Sequence, residues 1–291
     1  MCKIIVVANQ KGGVAKTSTV RNLSYSLVEL GKRVLTVDFD AQFNLTTCFG
    51  IENPNELKHT VATLMTNLLN DEDIPMKDEY VVTVGKVDLI PSSIQLSVVD
   101  ANLRLEMGSD RLLANLLETL KPDYDYIIVD TCPSLGTLTI NALTAADEVI
   151  IPVNPQLLAV MGLQELTQTI LKIRRRLNPK IKFGGILLTM CDKRTNLYKE
   201  ISAQVDAAYR SGMRIFDSQI PTTVKVGEAN CCGMAVAEYD KKCPAGQAYI
   251  ELAKEVMLNM ETAETGALSG SAAEIVPDGT ISKDGGVTTN A

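Results

Sequence analysis

The sequence predicts a single α/β domain whose mostly parallel, twisted sheet is covered by helices on both faces. Three observations carry this expectation. Short apolar runs alternate with stretches of helical periodicity along residues 1–260. The runs are rich in Ile and Val throughout, as in strands buried on both faces, and do not alternate with polar residues. The first run passes through Gly12-Gly13 straight into a helical pattern at Lys16.

In chain order, strands are expected at 3–8, 33–38, 87–90, 126–130, 148–152, 183–190 and 214–216. Helices are expected at 16–30, 56–69, 93–107, 111–120, 137–145, 163–177, 197–211 and 246–260. Gly31 suits the left-handed cap that closes the first helix. Asn178-Pro179 closes the helix at 163–177. From 262 to 291 the chain is rich in Thr, Ala, Gly and Ser, lacks aromatic residues and carries one lysine, Lys283. Such a segment cannot bury enough apolar surface to offset its ordering entropy. The expected organisation is therefore one domain over 1–260 and a disordered tail over 261–291.

With 46% hydrophobic and 22% charged residues, the 291-residue chain has the composition of a soluble globular protein. No apolar run is long enough to span a bilayer, and no signal segment precedes the first strand, so a cytoplasmic protein is expected. The start at the first strand also predicts no N-terminal helix-turn-helix domain. Seven cysteines, an odd number with no C-x-x-C spacing, read as reduced thiols. Cys231, Cys232 and Cys243 with the single histidine, His59, do not have the spacing of a zinc site. The net charge of −7 means that any DNA binding must come from a local basic patch.

The chemistry concentrates in Asn9-Gln10-Lys11-Gly12-Gly13-Val14-Ala15-Lys16-Thr17-Ser18. A glycine turn between a buried strand and a helix start presents backbone N–H groups to an anion. A lysine and a hydroxyl at that helix start fit a nucleotide phosphate chain with its magnesium. The ordinary pattern G-x-x-x-x-G-K-[ST] fails, because Gln10 and Ala15 stand where its glycines belong. Ala15 is expected to be the first helical residue, with ordinary φ. Two carboxylates, Asp38 and Asp40, end the second strand, at the sheet edge where ligands of parallel sheets bind. Asp130 ends the strand Tyr126-Ile127-Ile128-Val129 and suits a carboxylate near magnesium, held directly or through water.

Read as K-G-G-x-x-K-[ST], the loop matches without a mismatch the deviant phosphate loop of the ParA/MinD group of dimerising ATPases, and the chain resembles its ParA/Soj DNA-partitioning members over roughly residues 2–260. The resemblance implies a phosphate-loop NTPase fold, with ATP and Mg2+ as cofactors. It implies that Gly12, Gly13, Val14, Ala15, Lys16, Thr17 and Ser18 hold the phosphates, that Lys16 contacts β/γ oxygens and that Thr17 ligates the metal near Asp130. Lys11 would act on the phosphates of the partner in a homodimer, as an arginine finger does. Asp40 would position the attacking water, and Asp38 would support the metal and loop geometry. Ala41 replaces the proline of the family's D-x-D-P-Q segment, and Thr131-Cys132 replace Cys-Pro after Asp130.

Thr189-Met190-Cys191-Asp192 resembles the family's base-binding strand end. Met190 stands where related GTPases carry a lysine, which favours adenine, and Pro221 with Thr222 resembles the I-P-R segment near the base. The resemblance further implies non-specific double-stranded DNA binding by the ATP-bound dimer, release on hydrolysis stimulated by a ParB-like partner, no membrane association, and a nucleoid-associated location. Candidate DNA contacts are Arg194, Lys199 and Lys225, then Arg174, Arg175 and Arg176; these last three also complement a helix C-terminus. Three other readings are a MinD-like membrane-positioning ATPase, an iron–sulfur carrier or reductase on the same fold, suggested by Cys132, and a nucleotide-binding scaffold without hydrolysis.

Overall fold

The fold is that of a computed structural model, which describes residues 2–156 and 159–264. Its elements are β1 (Lys3–Val7), α1 (Lys16–Glu29), β2 (Val34–Phe39), α2 (Asn44–Cys48), α3 (Val61–Leu69), α4 (Lys77–Tyr80), β3 (Val82–Val84), β4 (Val87–Ile90), α5 (Leu96–Leu103) and α6 (Leu112–Leu120). They continue with β5 (Tyr126–Thr131), α7 (Thr137–Ala145), β6 (Glu148–Val153), α8 (Ala159–Arg176), β7 (Lys182–Leu188), α9 (Asn196–Tyr209), α10 (Lys225–Cys231), α11 (Val236–Tyr239) and α12 (Pro244–Glu264). The strands form one sheet in the order β3-β4-β2-β5-β1-β6-β7, parallel except for the β3–β4 hairpin.

The strand residues divide between two cores by simple alternation. Ile4 and Val6 of β1 face one core with Ile127 and Val129 of β5, while Ile5 and Val7 face the other with Tyr126 and Ile128. The first core is closed by helices that include α3, α6 and α7, through Leu64, Leu116 and Leu143 among others. The second is closed by α1 and α12, through Leu23, Leu27, Tyr249 and Leu252. Both faces are thereby withdrawn from water, which is why the strands can be continuously apolar. Among the described residues, no helix is long and apolar enough to cross a membrane.

Several sequence expectations are corrected. The expected strand at 214–216 makes only an isolated bridge, Ile186 to Ile215, so it pairs with β7 at one point and does not extend the sheet. The helix expected from 56 begins at Val61, because Thr60 caps it in a capping box with Thr63 and Pro54 opens a separate 3-10 turn. The helix expected over 93–107 is limited to Leu96–Leu103. The hairpin strand β3, turning at Gly85 with φ 63°, and the short helices α2, α4, α10 and α11 carry too few residues to show a period. The last helix opens on Pro244 and runs to Glu264, past the expected boundary at 260. The remainder of the expected tail, 265–291, lies outside the described residues. Gly31 has φ 82° and closes α1, with Lys32 N donating to Leu27 O at 3.0 Å.

Gly185 sits beside a register shift between β6 and β7, at φ 149°. A Cβ there would lie 2.7 Å from the Phe216 ring. Gly185→Ala combines overpacking with a backbone conformation that alanine avoids, so it is expected to lower unfolding free energy by about 2–3 kcal/mol. A lower urea midpoint at unchanged m-value would establish this.

Candidate functional site

Strand register brings the functional side chains together. Val7 pairs with Asp130, and Asp38 pairs with Asp130 on the other side of β5. The C-terminal ends of β1, β2 and β5 are thus level, and the 9–18 loop, both β2 carboxylates and Asp130 meet at one edge of the sheet. The loop and Asp40 border a cleft of about 400 Å³, lined by Gly12, Gly13, Lys16, Thr17, Asp40 and Thr131 among others, with Asp38 and Asp130 buried behind it.

The loop is held from three sides. Asn9 Nδ2 donates to Pro152 O at 2.7 Å, its Oδ1 accepts from Lys11 N at 2.9 Å, and Thr189 Oγ1 donates to Val14 O at 3.0 Å. Gly13 turns at φ 68°. Ala15 also turns left-handed, at φ 64° and ψ 33°, as the residue preceding α1. This overturns the expectation of an ordinary helical φ. The loop needs two left-handed residues to aim its N–H groups inward, and alanine adopts the second at a cost of about 1–2 kcal/mol. The start of α1 has no side-chain cap and no acid in its first turn, so its free N–H groups and positive dipole end remain available to an anion.

Lys16 is 7% exposed, and its Nζ donates to a single acceptor, Lys11 O, at 3.3 Å. Burial pushes its ammonium below the ordinary range, and Asp130 followed by Asp40 pull it back up. Thr17 Oγ1 donates to Asp130 Oδ2 at 2.7 Å, so the two expected metal groups are adjacent. Burial, with the neighbouring Asp38 charge, raises the Asp130 carboxyl. Asp38 is fully buried and does not reach the cleft. Its Oδ2 accepts from Thr46 N at 2.8 Å and Thr46 Oγ1 at 2.7 Å, and its Oδ1 accepts from Asp40 N at 3.3 Å. Asp38 thereby fastens α2 and aims the Asp40 segment. Asp40 lines the cleft, with Oδ1 accepting from Gln42 N at 3.0 Å. Lys11 is at the cleft rim, its Nζ on Gln156 Oε1 at 3.2 Å, and it carries no ion pair among the described residues.

The expected base residues also come together just beyond β7, next to Thr189 and outside the residues that line the phosphate cleft. Cys191 bridges Pro221, with Cys191 N donating to Ile220 O at 2.9 Å, and Met190 adopts φ 51°. Asp192 is engaged by Arg194 through two bonds of 2.9 Å, which hold its carboxyl down at about 2. The DNA candidates do not form one patch. Arg194 stands two residues before α9, Lys199 lies in its first turns and Lys225 opens α10, on the side of the sheet where β7 ends. Arg174, Arg175 and Arg176 close α8, whose end leads into the start of β7, at the opposite edge. Lys225 is paired with Glu228 at 3.2 Å. Cys132 has Ser134 Oγ at 3.2 Å from its sulfur, and no cluster of three metal-ligating side chains occurs among the described residues. Thr46 and Asn230 join the site without having been singled out in the sequence, and Asn9 and Thr189, which follow the ends of β1 and β7 inside the quoted segments, gain roles as loop anchors that the sequence did not assign.

An open helix start over a buried lysine, beside a hydroxyl and carboxylates at the parallel-sheet edge, defines a phosphate-loop nucleotide-binding protein of the two-lysine kind. Residues 2–183 match the family model described as an AAA domain. The chain is 40% identical to the sporulation initiation inhibitor protein Soj of Bacillus subtilis over 89% of this chain and 100% of that one. It is 38% identical to the chromosome partitioning protein ParA of Caulobacter vibrioides, over 88% and 94% of the two chains. Among solved structures, cobyrinic acid a,c-diamide synthase from Mycobacterium smegmatis, with bound ADP and magnesium, matches with a TM-score of 0.77 and 32% identity, over 90% of this chain and 97% of that one. The chain belongs to the ParA/Soj family of ATPases.

Ala15→Gly is expected to stabilise the chain by about 0.5–1 kcal/mol, the relieved left-handed strain exceeding the added chain entropy of glycine; thermal unfolding would measure the gain. A second expectation concerns pH. Burial raises Asp38 to about 7 from 3.8, so the folded chain keeps a proton that the unfolded chain releases. Stability therefore falls as pH rises from about 4 to about 7, by up to about 1.4 kcal/mol per pH unit from this group. Urea midpoints across that range would show the fall, and Asp38→Asn would remove this group's share and leave the part that comes from the raised Asp130 carboxyl.

Proposed function

We propose that the chain is a DNA-partitioning ATPase that works as an ATP-bound homodimer. The observation that carries this reading is the pair of lysines in one loop. Lys16 is buried beneath an open helix start, and Lys11 stands at the rim with its charge unpaired among the described residues. Family membership and a relative solved with ADP and magnesium support the choice of ligand.

The residues present fit Mg-ATP on their own chemistry. A buried ammonium bonded to one carbonyl of its own loop, at 3.3 Å, has donors to spare for an anion, and the exposed backbone of Gly12 and Gly13 leaves room for phosphate oxygens. Thr17 and Asp130 would hold magnesium, directly or through water, and the metal would supply positive charge at the β- and γ-oxygens. Lys16 binds those oxygens from below. Asp40 orients the attacking water and takes its proton toward the carboxylate. Asp38 keeps Asp40 in place through α2 and its own bond to the Asp40 amide. Lys11 reaches the partner's phosphates, so each site is complete only in the dimer, and hydrolysis removes the charge that holds the two copies together.

DNA contacts are assigned to Arg194, Lys199 and Lys225, which share the side of the sheet where β7 ends and so can respond to dimerisation. Arg174, Arg175 and Arg176 fall behind them on position. A ParB-like partner stimulates hydrolysis and release, and the working location is the nucleoid in the cytoplasm.

Lys16→Ala is expected to weaken ATP binding by at least about 100-fold, since a buried charged hydrogen bond and its Coulomb term are both lost. Asp40→Ala is expected to bind ATP normally, to stop phosphate release, and to remain on DNA. Co-sedimentation with non-specific DNA with and without ATP, across a salt titration, tests the whole reading. Absence of ATP-dependent DNA binding at low salt would overturn it, and ATP-dependent binding to anionic liposomes would favour the membrane-positioning alternative.

A further inference from the structure

The cleft has a wall that the phosphate-loop scheme does not use. Its lining comes from residues 12–18, 40–48 and 131–133, with one exception, Asn230, which arrives from the C-terminal end of α10. The Asn230 Oδ1 is buried without a hydrogen-bond partner. Its Nδ2 makes no hydrogen bond to the described residues either. A carboxamide whose oxygen is buried without a partner at the edge of a polar cleft lacks a bond that buried polar groups normally make.

Asn230 is also held where it is. Arg21, one turn beyond the phosphate loop on α1, donates from Nη2 to Gly233 O at 2.9 Å and stacks on Phe49 at 4.2 Å. Asn22 Oδ1 accepts from Val236 N at 2.7 Å. Ala229, the preceding residue, is fully buried. Gly233 turns at φ 67°, and a Cβ there would lie 3.0 Å from Gly50 Cα, so the α10 end and the segment after α2 are in backbone contact. These ties fasten the end of α10 to α1 and α2, the two helices that border the phosphate site, and prevent the amide from swinging clear of the cleft.

We propose that Asn230 is a nucleotide-binding residue whose Nδ2 donates a hydrogen bond to a phosphate oxygen across the cleft from the 9–18 loop. The proposal rests on the nucleotide reading of the cleft. Phosphate oxygens offer acceptors only, and rotation about the Cβ–Cγ bond lets the amide present its two N–H groups to them. A neutral donor suits this position, because it closes the cradle without placing another cation beside Lys16. It also makes the C-terminal part of the chain sense an occupied cleft, through the same ties that hold α10 to α1.

The test is equilibrium titration of the full chain with magnesium and a fluorescent ADP analogue, with thermal unfolding of each ligand-free variant alongside. Asn230→Ala is expected to weaken binding roughly 10-fold, the loss of one hydrogen bond to a charged group. Asn230→Asp is expected to weaken it further, since a carboxylate of the same shape replaces the donor with a charge that repels phosphate. Raising salt narrows the gap between the two variants by screening that repulsion. Ligand-free melting temperatures close to wild type accompany this result. Wild-type binding with both variants within twofold of it would overturn the role of Asn230 and leave the nucleotide reading intact. Equal losses in the two variants, tracking a common drop in melting temperature, would show a structural role and overturn the proposal. Failure of the wild-type chain to bind the analogue would overturn the nucleotide reading itself.

Discussion

One ammonium set among buried carboxylates governs this molecule. Lys16 lies at the level ends of β1, β2 and β5, where Asp38 and Asp130 are register partners and Asp40 follows within two residues. Burial disfavours the charge on Lys16, Asp38 and Asp130, and their mutual attraction and a few hydrogen bonds offset it in part. The Asp38 and Asp130 carboxyls rise toward neutrality and the Lys16 ammonium is weakened, so the site's own charges do not satisfy one another. A site in that condition gains from a ligand that brings both an anion for the lysine and a dication for the carboxylates, and Mg-ATP brings both.

The surrounding fold maintains this arrangement against its own cost. Ala15 in a left-handed conformation stores about 1–2 kcal/mol that no local interaction returns. Asn9 fastens the loop to β6 and Thr189 fastens it to the end of β7, so the loop is held by strands on one side of β1 while its carboxylates come from strands on the other. Asp38 spends its oxygens on Thr46 and the Asp40 amide and has none aimed at the cleft. Its contribution is to keep the Asp40 segment rigid, the usual way that a second layer of hydrogen bonds orients a side chain at a site.

Long elements were legible because their periodicity is strong. The helix at 137–145 matches Thr137–Ala145 residue for residue, and the strand at 126–130 falls within Tyr126–Thr131. Short ones were not, since the four residues of α4 or α11 and the three of β3 cannot display a period, and they form because tertiary neighbours hold them. The site divides in the same manner. Lys11, Lys16, Thr17, Asp40 and Asp130 follow from residue types at fixed spacing beside apolar strands. Asn230 carries no local pattern, Thr189 lies in a segment read only for the base, and both reach the phosphate site across more than 170 residues of chain.

The sequence by itself determined the fold class, the two-lysine loop and the carboxylates at the strand ends, because apolar periodicity and turn chemistry are local properties. Only the tertiary structure decided that Ala15 turns left-handed, that Asp38 supports and does not touch the cleft, that the α8 arginines stand at the edge away from the nucleotide, and that Asn230 completes a wall. Each of those depends on strand register or on the docking of a distant helix, and both are set by the burial of two cores at once.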